Sequence, residues 1–169
     1  WSKHNGCSTF HICWGAQAGL YYHYGIKKHL LPEKLSGIYT HKVLVPHHKL
    51  MRGFDETFTI PHSRHTGIDE EALKRCRGLE VLAVSEIAGS CVICSRNGRQ
   101  VFVTGHAEYD RDTLAKEYFR DKNKGLNPNV PYNYFPNDDA SKTPPMIWKS
   151  IATLLYTNWL NYFVYQATP

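Results

Sequence analysis

The sequence predicts an α/β fold, in which a sheet that includes one antiparallel hairpin is flanked by helices. Short apolar runs typical of strands alternate with runs whose apolar residues recur at helical spacing. A strand-like run, Thr9–Ile12, passes directly into a helix-like run that begins at Trp14. Asn97-Gly98, between two strand-like runs, is a strong signal for a tight hairpin turn. At 169 residues and 42% hydrophobic, the chain has the size and apolar content of one globular domain.

The first half of the chain supplies a helix, two strands and a second helix. Helical spacing predicts a helix over Trp14–Tyr24, which ends at Gly25, a natural C-terminal cap. Strands are predicted over Ile38–Pro46 and Thr57–Ile60, with a loop at Pro61-His62-Ser63. A short helix is then predicted over Glu70–Cys76.

The second half continues the sheet and ends in a long helix. Strands are predicted over Leu79–Glu86, Ser90–Ser95 and Gln100–Thr104, the last two pairing as the hairpin. A helix over Asp112–Asn123 is followed by a Pro- and Asn-rich loop over Leu126–Thr143. Pro144-Pro145 is expected to open the last helix. Its apolar face is predicted to contain Ile147, Ile151, Leu155, Asn158 or Trp159, and Tyr162.

Cys13 lies at the predicted junction between the first strand and the first helix. A side chain on a sharp strand-to-helix turn projects from the backbone beside the free N–H groups of the first helical turn. Those groups and the helix dipole favour the thiolate, which is the nucleophilic form of cysteine. Gly15 supplies a small residue where such a turn packs tightly. This segment alone leaves two interpretations open, a nucleophile and a buried structural thiol.

A second chemical motif follows the strand-like run at 101–104. His106 and Glu108 are two residues apart, so on an extended backbone they face one site together. A carboxylate beside an imidazole fixes its tautomer and stabilises the imidazolium. With Cys13, the pair predicts a nucleophile, a base and an orienting group in that chain order. The alternative is a histidine and a glutamate on an ordinary loop.

Composition argues against several function classes. The net charge is +5, a modest excess that suits anionic ligands such as coenzyme A phosphates. The positive residues are scattered and form no recognised nucleic-acid-binding module, so no nucleic-acid partner is expected. No apolar run approaches the length of a membrane span and no signal-peptide pattern opens the chain, so no membrane partner is expected. Five cysteines without a secretory signal indicate a reducing, cytoplasmic location.

Two groups of residues have spacing that resembles a metal site. Cys91 and Cys94 lie three apart in a predicted strand, where such side chains point to opposite faces, and no second cysteine pair completes a zinc site. His62 and His65, with His47-His48, lack a carboxylate or cysteine partner at helical spacing. We predict structural thiols, no metal and no resident cofactor, and keep a non-catalytic metal-binding domain as an alternative.

Longer motifs carry a resemblance to a known family. Residues 11–17 and 103–110 resemble the homoserine O-acyltransferases of methionine biosynthesis, and the similarity extends over essentially the whole chain. The departures are small: proline is frequent in the family at the positions of Ala107 and Lys27, neither of which carries chemistry. Further stretches that agree are Glu33–Gly37, Pro61–Arg64, Phe119–Asp121, Val130–Pro136 and Thr157–Tyr162.

The resemblance implies a class I glutamine-amidotransferase-like (flavodoxin-like) fold, with a mostly parallel sheet. Family members carry a sizeable N-terminal portion before the cysteine. Residues 1–169 are therefore expected to be the C-terminal part of one catalytic domain whose N-terminal part is absent from this chain.

The resemblance also implies an activity, the transfer of an acetyl group from acetyl-CoA to the hydroxyl of L-homoserine. Cys13 would form the acyl-enzyme, His106 would take the proton of the hydroxyl, and Glu108 would orient the imidazole. Lys34 and Ser63 belong to the substrate site by resemblance. Arg120 is a candidate to grip the substrate carboxylate with two parallel N–H bonds.

Several alternatives stay open at this point. The sequence of residues 14–19 is more similar to the acetyl-transferring members of the family, so acetyl-CoA is the expected donor. Succinyl-CoA is the alternative donor. A glutaminase of the same fold is a remoter alternative, because the cysteine turn and the His-x-Glu pair serve amide hydrolysis equally well. The backbone N–H of Trp14 is one candidate for the oxyanion hole, with the second donor unassigned. A homodimer is also kept as an option.

Overall fold

One six-stranded sheet organises the computed structural model, which describes residues 6–168. Its strands are β1 (Thr9–Ile12), β2 (Lys28–Val43), β3 (Thr57–Ile68), β4 (Leu79–Ser85), β5 (Gly89–Ser95) and β6 (Gln100–Val103). In space they follow the order β1-β6-β5-β4-β2-β3. The predicted α/β class and the β5–β6 hairpin are confirmed.

The sheet is mixed. We predicted a mostly parallel sheet, but most strand pairs within residues 6–168 are antiparallel. β1 and β6 are parallel, whereas the other four neighbouring pairs are antiparallel. The difference arises because β2 and β3 form one long antiparallel hairpin and β4, β5 and β6 follow as a meander. Consecutive strands joined by short turns pair antiparallel, since a parallel pair needs a crossover connection.

In the described part of the chain, four α-helices cover the sheet: α1 (Trp14–Tyr24), α2 (Glu70–Arg75), α3 (Thr113–Asn123) and α4 (Lys149–Trp159). α1 ends as predicted at Gly25, which adopts the left-handed conformation with φ 70°. Asp69 caps α2 by accepting a hydrogen bond from the backbone N–H of Ala72 at 2.9 Å. Within residues 6–168, none of the helices combines the length and the apolar character needed to cross a membrane.

The two faces of the sheet have separate apolar cores. The smaller core joins α1 and α2 to the sheet, and the larger core joins the opposite face to α3, α4 and the loop before α4. The smaller core contains Ala16, Leu20, Ile26, Ile68, Leu73, Leu79, Ile93 and Phe102. Fully buried members of the larger core include Leu114, Tyr134, Trp148 and Leu155. The sheet is therefore covered on both faces, as an α/β fold requires.

The predicted loop at Pro61-His62-Ser63 is wrong, because these residues lie inside β3 and pair with β2. Proline cannot donate to a sheet ladder, so it is tolerated mainly on edge strands. β3 is at one end of the strand order in the described part of the chain. β2 also begins ten residues before the predicted strand at Ile38, because its first residues pair with β3 beyond a register shift between Leu30 and Leu35.

The last helix begins at Lys149 rather than at the predicted Pro144-Pro145. A residue before proline is driven out of the helical region, so Pro144 cannot start a helix that includes Pro145. Ile147 consequently lies before the helix and is 51% exposed. Further along, Leu155 and Asn158 are buried as the helical spacing predicts.

The sheet curls enough to bring the middle of β3 to the end of β6 and to the start of α1. The backbone N–H of His106 donates to the carbonyl of Pro61 at 2.7 Å. The thiol of Cys13 lies 3.9 Å from the carbonyl oxygen of Ser63. Residues far apart in strand order therefore meet in one place.

Gly37 holds the loop before α4 against β2, and we expect its replacement by alanine to destabilise the fold. Its φ is 143°, and an added Cβ would lie 2.3 Å from the backbone oxygen of Tyr132. Gly37→Ala is expected to lower the free energy of unfolding by about 3 kcal/mol, since neither backbone can yield cheaply. Urea denaturation of the parent protein and the variant measures this difference in the free energy of unfolding. Gly15→Ala is the control. Contrary to the tight packing predicted at Gly15, no atom beyond its own helix and chain neighbours lies within 4 Å of an added Cβ, so an equal loss there would contradict the prediction.

Candidate active site

Cys13 occupies a sharp turn between β1 and α1. It has φ 47° and ψ −111°, a conformation that costs a non-glycine residue about 1–3 kcal/mol and that recurs at functional sites. Two backbone bonds hold the turn: its N–H donates to Val103 at 2.7 Å, and its carbonyl accepts from Gln17 at 3.1 Å. The residue is 8% exposed, and its thiol faces the loop that follows β6.

His106 and Glu108 lie on that loop, beside the cysteine. β1 and β6 are parallel and in register, with Ile12 opposite Val103, so the residues that follow both strands emerge at one sheet edge. The Nδ1 atom of His106 is 2.6 Å from a carboxylate oxygen of Glu108. The side chain of His106 also hydrogen-bonds with Cys13. The structure thus brings the three predicted catalytic residues together in the predicted order.

The charges around His106 favour its protonated form. Burial acts to lower the pKa of His106, but the hydrogen bonds and charges of Cys13 and Glu108 raise it from 6.5 to about 9. The ring is therefore an imidazolium at neutral pH. This arrangement stabilises the fold fully below about pH 6.5, and the contribution is lost as the pH rises through about 9.

We expect the His106 ring to titrate near pH 9, and to titrate lower when the sulfur is removed. Cys13→Ala deletes one hydrogen bond and one charge that favour the imidazolium, while Glu108 remains. NMR of ¹⁵N-labelled imidazole measures both midpoints. Cys76→Ala serves as the control, since Cys76 is a free thiol that lies outside this site. An unchanged His106 midpoint in Cys13→Ala would contradict the assigned contact.

Two of the predicted substrate residues, Lys34 and Ser63, meet at one carboxylate of α3, that of Glu117. The hydroxyl of Ser63 donates to Oε2 of Glu117, and Nζ of Lys34 lies 3.3 Å from the same oxygen. Burial acts to raise the pKa of Glu117, but these partners and the hydroxyl of Tyr109 hold it below its usual value. Because the carbonyl of Ser63 also faces Cys13, this carboxylate lies close to the predicted nucleophile.

The third predicted substrate residue, Arg120, is one helical turn further along α3. Its guanidinium contacts a carboxylate oxygen of Asp121 at 2.7–2.8 Å, and Lys34 contacts the other oxygen at 3.1 Å. The side chain of Arg120 is 55% exposed and lines a cavity of about 470 Å³ together with Lys34. Two cations and two carboxylates therefore form one balanced cluster, which consists of Lys34, Glu117, Arg120 and Asp121.

Irregular backbone positions this cluster. Leu30 pairs with Thr66 but Leu35 pairs with Arg64, so β2 has extra residues between these pairs and bulges outward at 31–34. The bulge carries Lys34 to α3. Glu117, Arg120 and Asp121 share one face of that helix because they are three and four residues apart.

The sequence reasoning missed Glu117, Asp121 and Tyr109. Tyr109 stacks on the His106 ring with the ring centroids 4.1 Å apart, and its hydroxyl donates to Glu117 at 2.9 Å. The signal available in the sequence was the helical spacing of Glu117 and Asp121 around Arg120. Nothing in the sequence pattern indicated that Tyr109 reaches both groups.

Residues 6–168 form neither of the two metal sites that the sequence spacing suggested. His62 is buried whereas His65 is exposed on the same strand, and His48 caps a short helical turn. Cys91 and Cys94 are both buried and have different partners, His62 and the carbonyl of Ser95. The prediction that the chain holds no metal or resident cofactor stays a prediction.

A different buried group, His41, His62 and Cys91, places three metal-ligating atoms within 4.8 Å of one another. The two Nε2 atoms are 3.0 Å apart. A metal-bound histidine normally donates its other ring N–H, yet Nδ1 of His62 has no partner in the described part of the chain. The positive charge of buried Arg64 lies near both rings and disfavours a further cation. We therefore interpret the group as packing behind the His106 loop.

Comparison with known proteins gives a match over the whole chain. The family model described as homoserine O-succinyltransferase matches residues 1–169. A homoserine O-acetyltransferase of Methanomethylophilus alvi is 56% identical over 169 residues, which are 100% of this chain and 55% of that protein. A homoserine O-acetyltransferase of Acetivibrio thermocellus is 55% identical over the same 169 residues, again 55% of its length. The chain thus spans about half the length of the curated relatives it matches.

Solved structures show the same fold at low identity. A glutamine amidotransferase from Thermotoga maritima superposes with a TM-score of 0.61 at 16% identity, covering 92% of this chain and 62% of that chain. One from Methylobacillus flagellatus superposes with a TM-score of 0.55 at 12% identity, covering 94% of this chain and 60% of that chain. The predicted amidotransferase-like fold is confirmed, and these similarities establish the fold alone.

Proposed function

The chain belongs to the homoserine O-succinyltransferase family, and from that premise we propose that it carries the nucleophile and the amino-acid site of a homoserine O-acetyltransferase. Acetyl-CoA is the donor and the hydroxyl of L-homoserine is the acceptor. The observation that carries the proposal is the adjacency of two groups of residues. The Cys13–His106–Glu108 triad lies directly beside a charge-balanced cluster on α3 and β2.

The first step transfers the acetyl group to the protein. The thiolate of Cys13 attacks the thioester carbonyl, a C–S bond to Cys13 forms, and the C–S bond to coenzyme A breaks. His106, protonated in the resting state, gives its proton to the departing thiolate of coenzyme A. One thioester replaces another, so the step is nearly balanced in free energy. The N–H of Trp14 is the donor in this chain that we propose for the oxyanion.

The second step delivers the acetyl group to homoserine. Acylation removes the charge of the Cys13 sulfur, which is one of the groups that hold the proton on His106. The imidazole therefore becomes a base, and it takes the hydroxyl proton as the oxygen attacks the thioester. Cys13 leaves as a thiolate, and the imidazolium–thiolate pair is restored. Glu108 holds the ring throughout through Nδ1.

The balanced cluster suits an amino acid, which carries one positive and one negative group. Glu117 offers a carboxylate to the ammonium group, and Ser63 lies between that carboxylate and the nucleophile. Arg120 retains exposed N–H groups for the substrate carboxylate, and Lys34 adds a second positive charge nearby. A zwitterion replaces water at such a cluster without leaving a net charge unpaired.

The choice of acetyl-CoA over succinyl-CoA is supported by the relatives at 53–56% identity, which are named homoserine O-acetyltransferases. The matching family model is described as homoserine O-succinyltransferase. We propose acetyl-CoA and keep succinyl-CoA as the alternative donor. We also propose that the protein acts in the cytoplasm, on small-molecule substrates.

A side-by-side turnover assay tests the proposal. The protein is supplied with L-homoserine and either acetyl-CoA or succinyl-CoA, and free coenzyme A and the acylated product are measured by thiol titration and mass spectrometry. A higher kcat/KM with acetyl-CoA is expected. A higher value with succinyl-CoA would overturn the donor assignment. Ammonia release from glutamine, without turnover of either acyl-CoA, would overturn the reaction class.

Replacing Glu117 is expected to weaken homoserine binding without preventing acylation of Cys13. Glu117→Gln removes the charge that faces the ammonium group, and a lost charged hydrogen bond is worth about 1.5–3 kcal/mol, so KM should rise about 10- to 100-fold. Acetylation of Cys13 by acetyl-CoA alone should keep its rate. Steady-state kinetics and single-turnover acetylation measure the two effects.

Glu71→Gln is the matched control for this prediction, because Glu71 is an exposed helical carboxylate that pairs with Lys74 at 2.9 Å. It should leave both rates unchanged. If Glu117→Gln keeps the parental KM for homoserine, the ammonium assignment is wrong.

A further inference from the structure

Tyr109 contacts the two halves of the site at once. Its ring stacks on the imidazole of His106, with centroids 4.1 Å apart and ring planes 18° apart. Its hydroxyl donates to Oε1 of Glu117 at 2.9 Å, while Ser63 and Lys34 contact the other oxygen of the same carboxylate. No other side chain of residues 6–168 has contacts of this kind with both His106 and Glu117.

The backbone of Tyr109 is also anchored. Its N–H donates to the carbonyl of His106 at 3.2 Å, which closes the loop after β6 into a turn. Its carbonyl accepts from the indole N–H of fully buried Trp148 at 2.9 Å. The tyrosine is therefore tied to the larger core, and its ring is a fixed surface on which the imidazole rests.

We propose that Tyr109 is a positioning residue that aligns the His106 ring and the Glu117 carboxylate together, so that one side chain sets both the base and the ammonium site. The inference rests on the proposed function for its substrate half. Its other half concerns the imidazole alone and is independent of any substrate.

The physical basis differs between the two contacts. A stacked aromatic face attracts a cation, so the ring favours the imidazolium and fixes the plane in which Nδ1 meets Glu108. The hydrogen bond from the hydroxyl fixes one carboxylate oxygen of Glu117. Together with Ser63 and Lys34, it makes three donors that set the orientation of the carboxylate. Removing the hydroxyl and removing the ring should therefore have separable consequences.

Two variants separate the contacts. Tyr109→Phe keeps the ring and removes the hydroxyl, so KM for L-homoserine should rise about tenfold while kcat and the His106 titration midpoint stay unchanged. Tyr109→Leu removes both, so the His106 midpoint should also fall by about one pH unit and kcat by about tenfold. Imidazole NMR across pH and steady-state kinetics are the measurements.

Tyr24→Phe is the matched control, since Tyr24 is another half-buried tyrosine whose hydroxyl donates to Gln100 at 2.7 Å, away from this site. It should change neither readout. Equal midpoints in the Leu and Phe variants would overturn the stacking role, and an unchanged KM in Tyr109→Phe would overturn the link to Glu117. A matching effect in Tyr24→Phe would show a general loss of folding instead and would also overturn the proposal.

The two failures are distinguishable. If the parent protein acylates no homoserine with either acyl-CoA, the proposed function fails. The NMR comparison still decides the imidazole half, because it needs no substrate. If the parent protein is active and Tyr109→Leu keeps the His106 midpoint, the positioning role fails alone.

Discussion

Cys13→Ala is expected to lower acyl transfer by a factor of about 10⁴ or more, and to abolish formation of the acyl-enzyme. The thiol is held in a strained turn with φ 47°, in hydrogen-bonding contact with His106, and alanine offers no atom that can form the thioester. Incubation with acetyl-CoA, followed by mass spectrometry of peptides, should find one acetyl group on Cys13 in the parent protein. The variant should carry none at that position.

Cys13→Ser refines this test, because a hydroxyl can occupy the same turn but is rarely ionised near neutral pH. Cys76→Ala is the matched control, since Cys76 is a partly buried free thiol that packs against the smaller core. It should keep the parental rate and the parental adduct. Acyl transfer that persists in Cys13→Ala would overturn the covalent mechanism, whether or not the substitution changes the stability of the fold.

Gly105→Ala is expected to lower kcat by about 100-fold, although the substituted residue carries no chemistry. An added Cβ would lie 2.6 Å from Ile60, 2.9 Å from Nε2 of His62 and 3.0 Å from the backbone oxygen of Pro61. Ile60 and His62 are fully buried, so the strand cannot yield and the loop must move. A displacement of about 1 Å at a catalytic group costs about 100-fold in rate.

Steady-state kinetics measure the loss, and the His106 titration locates its cause, because a displaced ring loses its contact with Cys13. Gly15→Ala is the control, as the space around its added Cβ is open within 4 Å. A Gly105→Ala variant with parental kcat would show that the loop accommodates the methyl group. It would also show that the packing of β3 against His106 has no catalytic role.

The meeting of Cys13, His106 and Glu108 was predictable because each signal is local in the chain. Cys13 follows one apolar strand, His106 follows another, and parallel strands in register emerge at the same edge. The Asn97-Gly98 turn was equally readable, since a two-residue turn with a left-handed glycine needs no tertiary information. These features depend on the residues that form them and on little else.

The course of β3 was not predictable from its residues. Whether Pro61 breaks a strand depends on whether that strand is at a sheet edge, and strand order is a property of the whole fold. The same dependence explains why Pro61-His62-Ser63, expected in a loop, lies in a paired strand beside Cys13. Local propensity is a weaker constraint than position in the sheet.

The charged cluster around Lys34 was predictable only in part. Lys34, Ser63 and Arg120 were identified through the resemblance, but nothing in the sequence placed them around Glu117. Their meeting depends on a register shift in β2, on the curl of the sheet and on the face that α3 presents. Register shifts leave little trace in a hydrophobic pattern, because the extra residues belong to neither face.

The bulge belongs to β2, whereas Cys13 and His106 belong to other elements of the fold. Cys13 and His106 depend on β1 and β6, whereas Lys34 depends on four residues that have left the ladder between β2 and β3. A change in the length of this segment is expected to move Lys34 and to leave the contacts of Cys13 and His106 in place. Small insertions at 31–34 are therefore expected to move Lys34 relative to α3 while the turn at Cys13 keeps its place beside β1 and β6.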